Sequence, residues 1–252
     1  MAGFTKRRSA APAGFFEVEA AGLRWLAEAG GARTATVLDL VPGVLTIERI
    51  PSATPTREAA VAFGSALART HDAGASAFGR GPAGWEGDGY IGDAPLPLRP
   101  TERWGRFYAD QRVLPYARAA HRSRTLSDAE LTVVQQLCER LRGGDLDDGA
   151  PPARLHGDLW SGNVLWSPEG VVLIDPAAHG GHRITDLAML ALFGCPFLET
   201  ILGAYESASG RLPSHWRQRI ALHQVHPLLV HAQLFGGGYG SQAAAAARGY
   251  LG

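Results

Sequence analysis

The chain has 252 residues, long enough for a large core in one domain or two lobes, and its 24 basic and 24 acidic residues balance. With no long block of one sign, nucleic acid is not an expected partner, and no apolar run approaches the roughly 18–20 residues of a membrane span. The opening MAGFTKRRSAA lacks an apolar stretch behind its basic residues, so it does not read as a secretory signal, and Cys138 and Cys195, far apart, read as buried free thiols of a reducing cytoplasm.

Gly3–Arg7 reads as the end of a strand that carries Lys6, followed by an Ala- and Pro-rich loop over 9–14. Residues 15–29 read as a helix, with Phe16, Ala20, Leu23 and Leu26 or Ala27 on one stripe. Two strands follow, 35–40 and Val44–Glu48, split by the turn Val41-Pro42-Gly43. A helix is predicted over 55–73, with Thr54 as its cap, Pro55 at its first position, and Phe63, Leu67, Thr70 and His71 on its buried side.

The Gly- and Pro-rich segment 74–97 reads as a long loop, and loops of that length inside a compact domain are often functional. A helix over 101–119 brings Trp104, Phe107, Tyr108 and Gln111 to one face, a core stripe rather than a cofactor box. Ser127-x-x-Glu130 is a capping box opening a helix that runs to about Leu141.

The densest chemistry lies in residues 154–186, RLHGDLWSGNVLWSPEGVVLIDPAAHGGHRITD. Asn163 follows Asp158 by five residues, and Asp175 lies twelve beyond, after a hairpin made of Val164-Leu165-Trp166, the turn Ser167-Pro168-Glu169-Gly170 and the run 171–174. This is the form of a kinase-type catalytic loop: His-x-Asp, four residues, Asn, a hairpin, then a metal-binding Asp. Phosphoryl transfer needs positioning and charge neutralisation more than covalent work. Asp158 is thereby assigned as the base that accepts the proton of the attacking hydroxyl, and Asn163 and Asp175 as hard oxygen ligands of magnesium.

HGDLWSGN, with IDPAAHGGHRITDLAMLALFG after it, resembles the fructosamine kinase (ketosamine-3-kinase) family, a branch of the aminoglycoside phosphotransferase and choline kinase group. The resemblance rests on Trp160 and Gly162 inside the loop and on Asp175-Pro176, with weaker echoes from Phe4 to Leu251. It implies an α+β, protein-kinase-like fold: an abbreviated N-terminal β lobe over 1–50 and a larger, mainly helical lobe over 51–252. Lys6 and Glu19 are then the strand–helix ion pair that holds Lys6 toward the nucleotide phosphates. Otherwise Lys6 is a solvated member of its Lys-Arg-Arg run, and Glu17 is the alternative partner.

Glu48 and Ile50 fall where kinases carry the hinge that meets adenine. Gly92-Asp93-Ala94-Pro95-Leu96 matches a family stretch near the acceptor, which makes Asp93 a substrate residue. Trp160 becomes a wall beside the sugar, or else a buried anchor of the loop. His156 and Asp186 are structural support, with Asp186 also placed to cap the helix it begins.

The implied activity is ATP- and magnesium-dependent phosphorylation of a sugar hydroxyl of a ketosamine, a sugar–amine or glycated-lysine adduct, by a monomer. The Gly-rich loop over 177–184 is too short for a protein kinase's activation segment, which favours a small acceptor. Only five residues precede Lys6, which leaves no room within the chain for the Gly-rich loop that covers ATP in kinases. A catalytically weak relative that binds a metabolite or partner, and a kinase of another small alcohol such as choline or an aminoglycoside, remain the alternatives. Further on, helices are predicted over 196–208 and 213–235. His223, His226 and His231 do not share one face at their spacing, so packing or pocket-lining roles suit them better than zinc.

Overall fold

The computed structural model describes residues 2–252. Strands β1 (Gly3–Arg7), β2 (Val37–Val41) and β3 (Val44–Glu48) form an antiparallel sheet in the order β1-β3-β2, with Lys6 opposite Leu45. β2 starts later than the sequence pattern suggests because residues 33–35 run instead beside a strand of the hairpin over 164–173: Ala35 N donates to Leu173 O at 2.9 Å and Leu173 N to Arg33 O at 2.8 Å. Helix α1 (Phe15–Ala27) lays Phe16, Ala20 and Leu23 on Leu45 and Ile47 of the sheet, and Val172 of the hairpin completes that small core. The sheet, α1 and the hairpin thus share apolar contacts.

The larger part is mostly helical. α2 (Arg57–Asp72) begins two residues later than predicted: the Thr56 hydroxyl, not Thr54, accepts from the Ala59 amide at 3.2 Å. Segment 74–97 is not wholly loop, for β4 (Gly89–Ile91) and β5 (Ala94–Leu96) form a hairpin around Gly92-Asp93. The predicted helix over 101–119 begins only at Trp104, because the Thr101 backbone exchanges two hydrogen bonds with that of Phe78. It comprises α3 (Trp104–Phe107), a π-helical stretch Tyr108–Val113, and α4 (Leu114–Arg122). The π stretch turns Gln111 and Arg112 onto backbone carbonyls of Arg99 and Pro97, a local use typical of such bulges. The capping box at Ser127 and Glu130 opens α5 (Asp128–Gly143).

β6 (Ala153–Leu155) pairs with β9 (His179–Gly181), so the two ends of the stretch 154–181 are tied together, although the sequence suggested only a Gly-rich loop at its end. β7 (Val164–Ser167) and β8 (Gly170–Leu173) form the expected hairpin between them. Val164 and Leu173 pack in one cluster with Phe63 and Leu67 of α2, Leu187 of α6 (Ile184–Phe193) and Ile201 of α7 (Leu198–Ala208).

The predicted helix over 213–235 splits into a 3-10 turn, Trp216–Arg219, and α8 (Ile220–Phe235), which carries Pro227 inside it. One residue before that proline the Tyr108 hydroxyl bridges the turn, donating to Leu222 O and accepting from His226 N. α9 (Tyr239–Arg248) closes the chain's packing against α5 and α8. Among the described residues no helix is long and apolar enough to cross a membrane. Both cysteines are free; Cys138 is buried, but Cys195, expected buried, is only partly so.

Candidate active site

His-Gly-Asp sits on the turn that leaves β6, and the turn's shape depends on Gly157. Its φ is +82°, and a Cβ there would lie 2.2 Å from the Ala177 carbonyl oxygen. The Gly157 and His156 amides both donate to Asp186, at 2.9 and 2.8 Å. Asp186 lies within the first turn of α6, yet it caps the His156–Gly157 turn rather than its own helix. His71 Nε2–H donates to the same carboxylate at 3.1 Å, and His71 Nδ1 receives the Tyr205 hydroxyl at 2.8 Å. Burial opposes ionisation of Asp186, but these donors outweigh it and hold its pKa below the ordinary value.

His156 is fixed by two bonds of opposite sense. Its Nδ1 accepts from the Asp158 amide at 3.2 Å, so Nε2 carries the proton and donates to Ile174 O at 2.9 Å. Burial lowers its pKa, in keeping with an uncharged ring. The ring therefore links the residue before Asp175 to Asp158 itself.

Asp158, Asn163 and Asp175 meet in one cavity with Lys6 and Glu19. Asn163 Nδ2 donates to the Asp158 carbonyl at 2.8 Å and to its carboxylate at 3.0 Å. Burial, with the carboxylates of Asp175 and Asp186 nearby, pushes the Asp158 pKa up to about 7 against the pull of that amide. Asp175 has φ +54°, a conformation that Asp and Asn adopt more readily than most residues. Its side chain is 45% exposed and faces Lys6.

Lys6 reaches Glu19 at 2.5 Å and also bonds Asp175; the helix partner is Glu19, not Glu17. Burial pulls the Lys6 pKa down, but the two carboxylates outweigh it and raise it. On the other side of Lys6 an apolar crevice is lined by Phe4, Ile47, Ile50, Leu165 and Ile174.

Trp160 stands 42% exposed between this cavity and a second one that reaches Asp158 from the α8 side. Gly162 makes that stance possible, since a Cβ there would lie 2.2 Å from the Trp160 ring.

A sequence model described as fructosamine kinase matches residues 2–251. The chain belongs to the fructosamine kinase family. A Synechocystis protein named as a ketoamine kinase is 40% identical over 183 residues, which is 72% of this chain and 58% of that relative. The chain thus spans less than two thirds of that relative's length. A Thermobifida fusca crystal structure named as a fructosamine-3-kinase superposes with a TM-score of 0.90 at 46% identity, over 98% of this chain and 84% of that one. The choline kinase of Streptococcus pneumoniae shares the fold, with a TM-score of 0.60 at 21% identity over 93% of this chain and 81% of its own. The fold is therefore the protein-kinase-like one, with a small β lobe and a larger helical lobe.

In this member of the fructosamine kinase family, the other residues singled out in the sequence fall into three groups. Glu48 and Ile50 border the apolar crevice, but the Glu48 carboxylate turns away, to Arg33 at 2.9 Å and the Thr36 hydroxyl at 3.0 Å. Asp93 is not brought to the site. It sits at the tip of the β4–β5 hairpin, 69% exposed and paired with Arg8 at 2.6 Å, while Ile91 and Gly92 of the same hairpin border the cavity. Trp160 is too exposed to be a buried anchor of the loop.

His71 is the participant that spacing did not reveal. It lies 115 residues from the carboxylate it supports. A larger surface hollow lined by Trp25, Arg80, Arg154 and Arg211 shares no residue with the site.

Among the described residues no group of three His, Cys, Asp or Glu side chains is arranged to hold a metal. The donors present still suit magnesium, which takes one or two protein oxygens and completes its shell with water and phosphate. Asn163 directs its amide N–H groups to Asp158 and, more weakly, to the Asp175 carbonyl, so its side-chain oxygen makes no hydrogen bond among the described residues, and it lines the same cavity as the exposed carboxylate of Asp175.

Proposed function

We propose that this protein is an ATP-dependent kinase that phosphorylates a sugar hydroxyl of a ketosamine, the adduct of a sugar with an amine. The observation that carries the reading is the meeting of Asp158, Asn163, Asp175 and the Lys6–Glu19 pair in one cavity. The family's name supplies the acceptor class.

Asp158 accepts the hydroxyl proton as the acceptor oxygen forms its bond to the γ-phosphorus and the bond to the bridging oxygen of ADP breaks. A pKa near 7 suits that task, because a base works best when its pKa lies close to the working pH. Asn163 holds the Asp158 carboxylate in place. The Asn163 side-chain oxygen and the Asp175 carboxylate would hold magnesium, which neutralises charge on the β- and γ-phosphates. Lys6, oriented by Glu19, donates its ammonium to the nucleotide phosphates. The crevice of Phe4, Ile47, Ile50, Leu165 and Ile174 takes the adenine, with the main chain near Ile50 as its polar edge. Residues 1–50 then supply Lys6, Glu19 and one side of the nucleotide crevice, and residues 51–252 supply its other side, the catalytic loop and the acceptor site.

The reading is tested by incubating the protein with magnesium, ATP and adducts of fructose or ribulose with simple amines. A phosphorylated sugar detected by mass spectrometry supports it. A folded protein that modifies none of several such adducts rules it out.

A further inference from the structure

On the α8 side of Asp158 the cavity is walled by Trp160, Phe193, His231, Phe235 and Tyr239. The His231 ring stands at the centre of the aromatic group, with ring centroids 4.6 Å from Phe193, 5.4 Å from Phe235 and 5.2 Å from Tyr239. Among the described residues Asp158 is the only carboxylate lining this cavity, and no Lys or Arg lines it. Phe235 is 70% exposed at its mouth, a large apolar surface that nothing in the described chain covers.

The protonation of His231 follows from its partner. Nδ1 lies 2.8 Å from the Pro227 carbonyl oxygen, which can only accept, so Nδ1 carries a hydrogen. In the uncharged ring Nε2 is then an acceptor, and among the described residues no group donates to it. Burial lowers the His231 pKa, which favours this form.

We infer that this aromatic box receives the amine half of the ketosamine, with His231 Nε2 accepting an N–H from the secondary ammonium and the rings covering its substituent. This rests on the ketosamine-kinase reading above and adds a substrate class to it. A ketosamine differs from a plain sugar by one cationic nitrogen a few bonds from the reacting hydroxyl. A site for it needs an acceptor that is not the catalytic base, and aromatic faces that tolerate a cation. His231, Phe193 and Tyr239 supply both in the cavity that Asp158 shares. Beyond that point the amine's substituent meets mainly apolar and aromatic surface, with Ser161 an uncharged polar exception. A benzyl-type group is therefore favoured, and a substituent carrying a carboxylate finds no cation to pair with. His231 is the specificity-determining residue for the ammonium, and Phe235 for the substituent.

The test is steady-state kinetics of the full chain on three fructose adducts: that of benzylamine, that of glycine, and the N-acetylated benzylamine adduct, which has no ammonium. The wild type is expected to show a KM for the benzylamine adduct at least about tenfold below that for the glycine adduct. His231→Leu should raise KM for the benzylamine adduct about tenfold, the scale of one hydrogen bond to a charged group, and leave the KM of ATP and of the N-acetylated adduct unchanged. His231→Gln, which keeps an acceptor, should stay within about threefold of wild type. Phe235→Ser, at the exposed mouth, should erase the benzylamine–glycine difference without altering the melting temperature. If the wild type phosphorylates the adducts but neither His231→Leu nor Phe235→Ser changes their KM, the inference is wrong and the kinase reading stands. If the wild type phosphorylates none of them, both fall.

Discussion

The side-chain amide of Asn163 holds Asp158 at two points, its main-chain carbonyl at 2.8 Å and its carboxylate at 3.0 Å. Donation to the ionised carboxylate lowers the Asp158 pKa, while burial and two nearby carboxylates raise it, with a balance at about 7. As the proposed base, Asp158 must be ionised to take a proton, so kcat/KM should fall as pH drops below its pKa. Removing the amide in Asn163→Ala takes away the stabilising donor, and the acid limb should move to higher pH. The variant should therefore lose more activity at pH 6.5 than at pH 8.5. Profiles of kcat/KM for both proteins check this; an equal loss at every pH would break the link between Asn163 and the base.

Asp158 and Asp175 are both carboxylates of one cavity, and substitution should separate them. Asp158→Asn should leave magnesium–nucleotide affinity near wild type while turnover falls at least about a hundredfold, the scale of losing a positioned base. Asp175→Asn keeps a residue that tolerates φ +54° but swaps the proposed anionic metal ligand for a neutral one and removes a charge from Lys6. It should weaken magnesium–nucleotide binding first. Calorimetry with a non-hydrolysable nucleotide distinguishes the two, and the opposite pattern would exchange their roles.

Asp186 predicts a pH dependence of stability rather than of rate. Its folded pKa lies below the ordinary value, so its contribution is fully present above about pH 4, the unfolded value, and is lost as pH falls through the folded one. Asp186→Asn breaks a buried set of charge-assisted bonds to His71, His156 and Gly157 and should cost roughly 3 kcal/mol at pH 7. Denaturant unfolding of both proteins should show that gap narrowing as pH is lowered toward 3. A gap independent of pH would mean that the carboxylate's charge is not what the loop uses.

The grouping of Asp158, Asn163 and Asp175 in one cavity was legible because it is local: these residues and the hairpin between them lie within eighteen residues. The Lys6–Glu19 pair was legible only through resemblance, since strand and helix periodicity do not say which acid turns back. One feature was missed although its signal was present. Gly92-Asp93 between apolar neighbours is a two-residue hairpin turn, hidden by the Gly and Pro around it. Phe193 and His231 come from two helices that meet only after folding, so neither pattern marked them as one wall. His71 and Asp186 illustrate the remaining limit, because a buried bond across 115 residues leaves no trace in local spacing.

Trp160 offers the most direct measurement of where the acceptor lies. Its ring is 42% exposed, so its truncation does not open the kind of core cavity that costs about 3–5 kcal/mol. A flat ring beside Asp158 can cover the carbon face of a sugar while its indole N–H keeps one polar contact. Trp160→Ala should therefore raise the acceptor KM about tenfold, in line with the loss of several tens of Å² of apolar contact. ATP affinity and melting temperature should barely move. Gly162→Ala tests the same ring from beneath, because the added Cβ would sit 2.2 Å from its present position and must displace it. That variant should also raise acceptor KM while it leaves Asp158 and Asn163 in the chain. Acceptor titrations beside thermal melts decide the matter: a Trp160→Ala protein that melts far below wild type but binds acceptor normally would make the ring a structural support instead.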